Sequence, residues 1–287
     1  MSLAFYYFLA IAAIYILMSW AIYLPYRVGQ LHFMSIANMA ICGYFGAYAA
    51  KNWGWPFVIV LLAAVVLGGL IAFVTSLAIG DAPCFAVVIV GFTYIFITKT
   101  VIENWDVLGG TVGFFGIPNV KGLLIITYAI VVIVGFLIYR FDHSSLGRAA
   151  SAIFVDKDLA KSSGIDIKKL GMFLQTFSGI IGGICGVLYG YIMNNLFPNF
   201  FTFAMVGTCM TMLFVGGYTT MWGVLISAPL LWGVPLLFPP QIASWRIVIY
   251  GVLLVVVLVL KPEGLIKREL VYNITGMLFR RKNYTEV

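Results

Sequence analysis

The chain has 287 residues, of which 63% are apolar and only 9% are charged, and its formal net charge is +7. Soluble domains carry roughly 25% charged residues, so this composition excludes an ordinary soluble domain and places most of the chain in lipid. The positive charge does not indicate nucleic-acid binding, because the basic residues cluster at 140–169 and 261–282, beside apolar stretches, as the positive-inside bias of membrane proteins produces.

Long apolar stretches follow one another along the chain and approach the roughly 20 residues that a membrane-spanning helix needs. They predict an all-α fold, a polytopic transmembrane helical bundle of about eight to nine spans with one broken or re-entrant segment. The stretch 28–50 contains several polar residues and is expected to be broken, and 201–217 is short enough to be re-entrant. The candidate spans are 3–24, 28–50, 56–79, 82–102, 122–140, 169–193, 201–217, 221–239 and 245–260.

The two basic clusters set the expected orientation. Both 140–169 and the region beyond 261 are predicted to be cytoplasmic. Four spans lie between them, as this requires, and five precede the first, which puts the N-terminus outside and Arg27 inside. The sequence thus predicts one transmembrane domain, 1–268, followed by a cytoplasmic tail, 269–287.

Glycines recur within the span 169–193 in overlapping GxxxG spacings. In lipid, small residues let helix backbones approach closely, and this packing drives association. A tight helix contact is therefore predicted, although glycine is common in this chain and a single GxxxG can arise by chance. The residues are Gly179, Gly182, Gly183, Gly186 and Gly190.

Motifs for catalysis or metal binding are missing from the sequence. It contains no GxxxxGK[ST], HExxH or GxSxG, so we predict no catalytic residue, no metal ligand and no cofactor in this chain. Lys99 and Glu103 have the spacing of an interfacial ion pair. No carboxylate falls at mid-depth of a span, where a proton-coupled pump would need one. Energy must therefore come from another chain, or transport is passive.

The charged loop 140–169 carries three capping signals. Ser144 or Ser145 can begin a short helix, Asp156 can begin a second that ends at Gly164, and Asp166 can begin the next span. We expect Leu146, Ala150 and Ile153 to form an apolar stripe, while Arg148, Lys157 and Lys161 project outward. Such a pair of amphipathic helices suits a partner protein; the alternative is a solvated connector.

Polar residues at membrane depth are the candidates for a substrate path: Asn38, Gln175, Thr208 and Thr211. Each could equally make an interhelical hydrogen bond, which contributes about 0.6 kcal/mol on average. Gly216 and Gly217 are expected to form an irregular turn near a cytoplasmic gate.

Five segments in order along the chain resemble the permeases of branched-chain amino acid ABC importers. The run GRAASAIFVDKDLAKSSGI at 147–165 resembles the family's cytoplasmic loop. GQLHF and GYFGAY at 29–48, and GGTVGFFGIP at 109–118, are similar to two further family segments. VGGYTTMWG at 215–223 and KPEGL at 261–265 resemble the last two, and the best match is the LivM-like subunit type.

Several positions depart from the family's pattern. Phe154 replaces an arginine, Asp158 a glutamate and Lys161 an alanine, while Thr219 replaces a glycine and His32 a serine. These changes leave the ATPase-facing pattern in outline. They leave the solute open, since the family also handles urea, short amides and other small solutes.

The resemblance implies a permease subunit in a bacterial inner membrane, paired with a second, LivH-like permease in a heterodimer. Two ABC ATPase subunits would hold ATP and Mg²⁺, and a periplasmic binding protein would deliver the solute. The ATPase-coupling residues carried over by the motif are Gly147, Arg148, Ala152, Ile153, Asp158, Ala160 and Gly164. The alternatives are a passive channel for a small neutral solute and a structural or assembly subunit, neither of which needs an ATPase dock.

Overall fold

The computed structural model describes residues 3–80 and 82–233, together with positions 248, 251–252, 255–256, 259–260 and 264. Its long elements are α-helices: α1 (Leu3–Tyr26), α2 (Met34–Asn52), α3 (Phe57–Ile79), α4 (Cys84–Glu103), α5 (Leu123–Asp142), α6 (Ser145–Val155), α7 (Lys157–Ser162), α8 (Ile167–Met193), α9 (Phe203–Gly216) and α10 (Trp222–Gly233). Three 3₁₀ turns lie at Asp106–Leu108, Gly110–Val112 and Pro198–Phe200. Strands β1 (Phe114–Phe115) and β2 (Asn195–Leu196) pair antiparallel, with Phe114 opposite Leu196.

Six helical segments of the described residues are long and apolar enough to cross a membrane. They are Leu3–Tyr26, Phe57–Ile79, Cys84–Glu103, Leu123–Asp142, Ile167–Met193 and Pro198–Gly216. The predicted polytopic all-α membrane fold is thus confirmed. The spans expected at 221–239 and 245–260 are described only as far as Gly233 and at isolated helical positions, and the tail 269–287 lies outside the described residues.

The stretch 28–50 is interrupted at its beginning. Residues 27–33 are not helical, and α2 begins only at Met34. Gly29 has a φ of +73°, which a residue with a Cβ adopts at a cost. The break therefore lies in the connection from α1 to α2 and leaves α2 continuous for 19 residues.

The chain divides into two compact units, Met1–Cys209 and Met210–Val287. In the first unit, α8 packs mainly against α2 and α3 and also against α1. α1 is buried over most of its length, whereas α3, α4 and α5 keep many large apolar side chains exposed. Helices α1, α2 and α8 thus form the interior of this unit, and α3 to α5 supply its apolar exterior.

Close backbone approach explains the packing of α8. A Cβ at Gly182 would collide with the Ser35 carbonyl oxygen, and one at Gly183 would lie 2.7 Å from the Ala64 carbonyl oxygen. Gly179 and Gly186 likewise face atoms of α2 and α3 at distances that leave no room for a side chain. Gly190 differs, since its nearest neighbours are the side chains of Ile117 and Leu196 at 3.4 Å or more.

The first unit has two distinct ends. At one end, the C-terminal ends of α1, α3 and α5 meet the start of α8 and the helices α6 and α7. At the other, Lys51 in the last turn of α2 donates a 2.8 Å hydrogen bond to the carbonyl of Phe115, and β1 pairs with β2. Five helices, α1 to α5, thus alternate between the two ends before α6.

The second unit is held by its own glycine contact. α9 ends at Gly216, and Gly216 and Gly223 lie backbone to backbone at the start of α10. Ser227 of α10 donates a hydrogen bond to the carbonyl of Met212. Gly217 has a φ of +119°, so the chain turns irregularly here, and Gly264 contacts it.

Candidate functional site

The segment 144–166 forms two short capped helices, which we name the α6–α7 element. The Ser144 hydroxyl accepts a hydrogen bond from the Gly147 amide, so Ser144 rather than Ser145 caps α6. Asp156 caps α7 by accepting from the amides of Asp158 and Leu159. Gly164, with a φ of +82°, follows the end of α7. Two helices separated by Asp156 result.

Asp166 then begins α8. Its carboxylate accepts a hydrogen bond of 3.0 Å from the Lys169 amide and lies 3.0 Å from the Lys169 ammonium group. The amide hydrogen bond of Lys169, aided by its ammonium group, lowers the pKa of the Asp166 carboxyl. The carboxylate is therefore ionised at neutral pH, and its negative charge interacts favourably with the positive N-terminal end of the α8 dipole.

The buried face of the α6–α7 element consists of small and apolar residues: Gly147, Ala150, Ile153 and Ala160. A Cβ on Gly147 would collide with the Phe141 carbonyl oxygen, so α6 packs closely on the end of α5. Of the predicted apolar stripe, Ala150 and Ile153 are buried, whereas Leu146 is 46% exposed. Leu146 precedes Ala150 by four residues and lies on the same side of α6, but in the first turn of the helix its side chain stays exposed.

The exposed face of the element combines large apolar side chains with charges. Val155 is 85% exposed and Leu159 is 65% exposed, and Leu146 and Phe154 are exposed as well. We name these four residues the apolar patch. The remaining motif residues Arg148, Ala152, Asp158 and Gly164 are also exposed. A solvated connector gains nothing from such a patch, whereas a protein partner can bury it.

Arg27 joins α1 to the end of α5 through a largely buried ion pair and to α6 through a hydrogen bond. Nε of Arg27 lies 3.3 Å from Oδ1 of Asp142, the last residue of α5, and Arg27 also donates a 2.7 Å hydrogen bond to the Ser151 hydroxyl on α6. Tyr23 donates a 2.8 Å hydrogen bond to the other Asp142 oxygen. The sequence placed Arg27 on the cytoplasmic side but not this pairing, because its partners lie more than one hundred positions away.

The interruption after α1 holds a second polar contact. The Gln30 side-chain amide donates to the carbonyls of Gly80 (3.1 Å) and Ala82 (3.2 Å), just after α3. Gln175 of α8 donates to the Gln30 side-chain oxygen at 2.8 Å and to the Ile79 carbonyl at 3.3 Å. Gln30 thereby ties the α1–α2 connection to α3 and α8. The polar composition of 28–50 is the signal that marked this region in the sequence.

The predicted substrate-path residues fall into separate places. Asn38 and Gln175 are buried in the first unit, and Asn38 donates a 3.3 Å hydrogen bond to the Gly68 carbonyl. Thr208 donates to the Ala204 carbonyl within its own helix. Thr211 is buried in the second unit, where Gly216 and Gly217 end α9 and form the turn after it.

Several buried polar atoms around α2 and α8 lack a hydrogen-bond partner among the described residues. They are the side-chain oxygens of Asn38 and Gln175, the hydroxyls of Ser35 and Ser178, and both ring nitrogens of His32. Buried polar groups are normally paired because desolvation without a partner is costly. Unsatisfied donors and acceptors thus concentrate where α2 faces α8.

Comparison with known protein families identifies one family that matches most of the chain. The chain matches, over residues 4–258, the family described as the permease component of branched-chain amino acid transport systems.

Two curated relatives are described as LivM permease proteins of branched-chain amino acid transport. The high-affinity system's LivM of Escherichia coli K12 is 26% identical over 168 residues, or 57% of this chain and 39% of the relative. A probable LivM of Methanocaldococcus jannaschii is 27% identical over 248 residues, or 72% of this chain and 68% of the relative. The match thus spans well under half of the Escherichia coli protein. No solved structure matches the chain.

Proposed function

Because the chain belongs to the family of permease components of branched-chain amino acid transport systems, we propose that it is the membrane-spanning subunit of an ABC importer. The family match over 4–258 also confirms the resemblance found in the sequence motifs. The proposed solutes are branched-chain or other hydrophobic amino acids, or a related small solute such as urea or a short amide.

The α6–α7 element is the observation that carries this proposal. It presents the apolar patch beside Arg148, Asp158 and Lys161, and it lies at the end of the first unit where the basic residues concentrate. A helix with exposed apolar side chains fits a groove on a partner protein. We assign this groove to an ATP-hydrolysing subunit, two of which would bind ATP and Mg²⁺.

The remaining partners follow from the importer architecture. A second, LivH-like permease would pair with this chain, and the exposed apolar side chains of α3, α4 and α5 offer surfaces for that subunit and for lipid. A periplasmic binding protein would deliver the solute to the end that carries Lys51 and the β1–β2 pair. The family resemblance supports a bacterial plasma-membrane location, and the positive-inside bias supports an orientation with 140–169 and the C-terminus cytoplasmic.

A polar path between α2 and α8 is the second part of the proposal. Asn38 and Gln175 each use their amide nitrogens in interhelical hydrogen bonds and keep a buried oxygen without a partner. These oxygens can accept from a polar solute or from water when the helices separate. Thr208, Thr211, Gly216 and Gly217 remain separate candidates, proposed from the sequence alone.

Co-purification tests the proposed function. The chain is expressed together with any ABC ATPase subunits encoded near its gene. ATPase recovery is measured for wild type, for Val155→Ala with Leu159→Ala, and for Val107→Ala with Val112→Ala. The control pair truncates exposed valines at the opposite end. We expect the first pair to lower ATPase recovery at least about tenfold, because burial of each side chain contributes roughly 1.5–3 kcal/mol, and the control to match wild type.

A second double variant, Arg148→Ala with Asp158→Ala, removes the exposed charges of the motif and should also weaken the complex. A passive channel would give a different result, namely solute flux without ATP and no ATPase bound to the wild-type chain. That outcome would overturn the proposed function.

A further inference from the structure

Arg27 joins three elements that the sequence keeps apart, and we infer from this that it is a positioning residue for energy coupling. Its guanidinium transmits displacement of the α6–α7 element to the α1–α2 connection, and through Gln30 to α3 and α8. This inference rests on the proposed function, since the displacement would come from an ATPase bound to the apolar patch.

The first step is the contact between α6 and α1. Arg27 donates to the Ser151 hydroxyl at 2.7 Å, and Ser151 in turn donates its single hydroxyl proton to the Gly147 carbonyl at 3.0 Å. One turn away, the rings of Tyr26 and Phe154 meet edge to face with centroids 5.5 Å apart. α6 therefore holds the end of α1 at two points.

The second step is the strength of the contact between α1 and the end of α5. The side chains of Arg27 and Asp142 are only 9% and 17% exposed, so water screens their attraction weakly. Tyr23 donates to Asp142 and its ring lies 5.9 Å from the Arg27 guanidinium carbon. Asp142 is covalently continuous with the α6–α7 element through residue 143. Arg27 is thus the group that fixes the position of the α1 end relative to that element.

The third step leads from Arg27 into the interior. Arg27 lies three residues before Gln30, and the backbone between them turns at Gly29. The backbone N–H of Gln30 donates a hydrogen bond to the Pro25 carbonyl. Gln30 bonds the carbonyls of Gly80 and Ala82 and accepts from Gln175. A shift of the α1 end consequently changes contacts at the end of α3 and the start of α8.

Ser151→Ala isolates this role, because it removes only the hydroxyl that accepts from Arg27. Arg27→Lys is the second variant: its ammonium can remain paired with Asp142 but does not reproduce the planar fork that also reaches Ser151. Ser162→Ala is the matched control, since among the described residues the exposed Ser162 hydroxyl bonds within α7, to the Leu159 carbonyl.

The measurement is hydrogen exchange of the backbone amides of 27–33 in the purified permease–ATPase complex, nucleotide-free and trapped with ATP and vanadate. We expect trapping to change their exchange rates about tenfold in wild type and in Ser162→Ala. A change of this size corresponds to the free energy of one charge-assisted hydrogen bond. In Ser151→Ala and Arg27→Lys, the response of 27–33 should be lost while that of 145–162 persists.

Failure of the inference differs from failure of the proposed function. If the complex forms and 27–33 responds equally in Ser151→Ala and wild type, or does not respond in wild type, Arg27 does not transmit the movement. If no ATPase binds the wild-type chain, the proposed function itself fails. A loss of response in both variants with unchanged thermal stability supports transmission over a purely structural role.

Discussion

The side-chain amide of Gln175 donates a 2.8 Å hydrogen bond to the side-chain oxygen of Gln30, and both residues are buried. Gln30 in turn satisfies the carbonyls of Gly80 and Ala82, which lie beyond the last turn of α3. Helix ends leave carbonyls without intrahelical partners, and in lipid or a dry interior such groups need a substitute. The glutamine pair provides it and joins three elements at the same time.

Replacing Gln175 with alanine should therefore lower the stability of the folded chain by about 1–3 kcal/mol, because it removes the donor to Gln30 and to the Ile79 carbonyl. The measurement is the thermal unfolding midpoint in detergent. Thr176→Ala is the control, since that hydroxyl bonds only to the Met172 carbonyl of its own helix. Equal midpoints for the two variants would contradict the role assigned to the glutamine pair.

The glycines of α8 offer a second, sharply matched comparison. Gly186→Ala should destabilise the chain by about 1–3 kcal/mol, because the new methyl group would collide with the Met39 carbonyl oxygen on α2 and force the helices apart. Gly190→Ala, one turn on, places its methyl 3.4 Å or more from flexible side chains and should be tolerated. Folded yield and unfolding midpoint measure both. If Gly190→Ala were the more damaging, the packing described for α8 would be wrong.

The sequence predicted those features that depend on neighbouring residues. The caps at Asp156 and Asp166 use side chains two or three positions from the amides they bond, so their spacing alone reveals them. The all-α membrane fold followed likewise from composition. Leu146 shares the side of α6 that carries Ala150, and no local pattern indicates that its own side chain stays exposed.

Long-range pairing could not be read in the same way. Arg27 with Asp142, and Gln30 with Gln175, are pairs whose members lie on different helices and meet only when all helix ends are placed. A single sequence determines neither how deep each helix lies in the membrane nor which neighbouring helix each of its sides contacts. The glycines at 179–186 indicated a close contact, but not that α2 and α3 are the partners.

Asp156 carries the third prediction. Its carboxylate accepts from the amides of Asp158 and Leu159 and begins a helix of only six residues. Asp156→Ala should cost α7 about 1 kcal/mol, and the amides of 158 and 159 should exchange about fivefold faster. Asp156→Asn retains an acceptor oxygen and should restore most of the protection. Unchanged exchange in Asp156→Ala would show that α7 does not depend on this cap.

The last prediction concerns pH at the start of α8. The Asp166 pKa is lowered by the hydrogen bond from the Lys169 amide, so its value in the folded chain lies below the ordinary value of about 3.9. A depressed pKa contributes stability that is fully present above the unfolded value and is lost as the pH falls through the folded value. Exchange at the Lys169 amide should thus stay slow at neutral pH and gain an additional acceleration only below about pH 4.

Asp166→Asn separates the cap from its charge. The asparagine oxygen can still accept from the Lys169 amide but does not titrate, so the acid-dependent loss of protection at residue 169 should disappear while capping remains. Amide exchange is compared between pH 3 and pH 7 after correction for the intrinsic pH dependence of exchange. If Asp166→Asn and wild type lose protection in parallel, the carboxylate does not control the start of α8, and the acid sensitivity of that helix comes from another group.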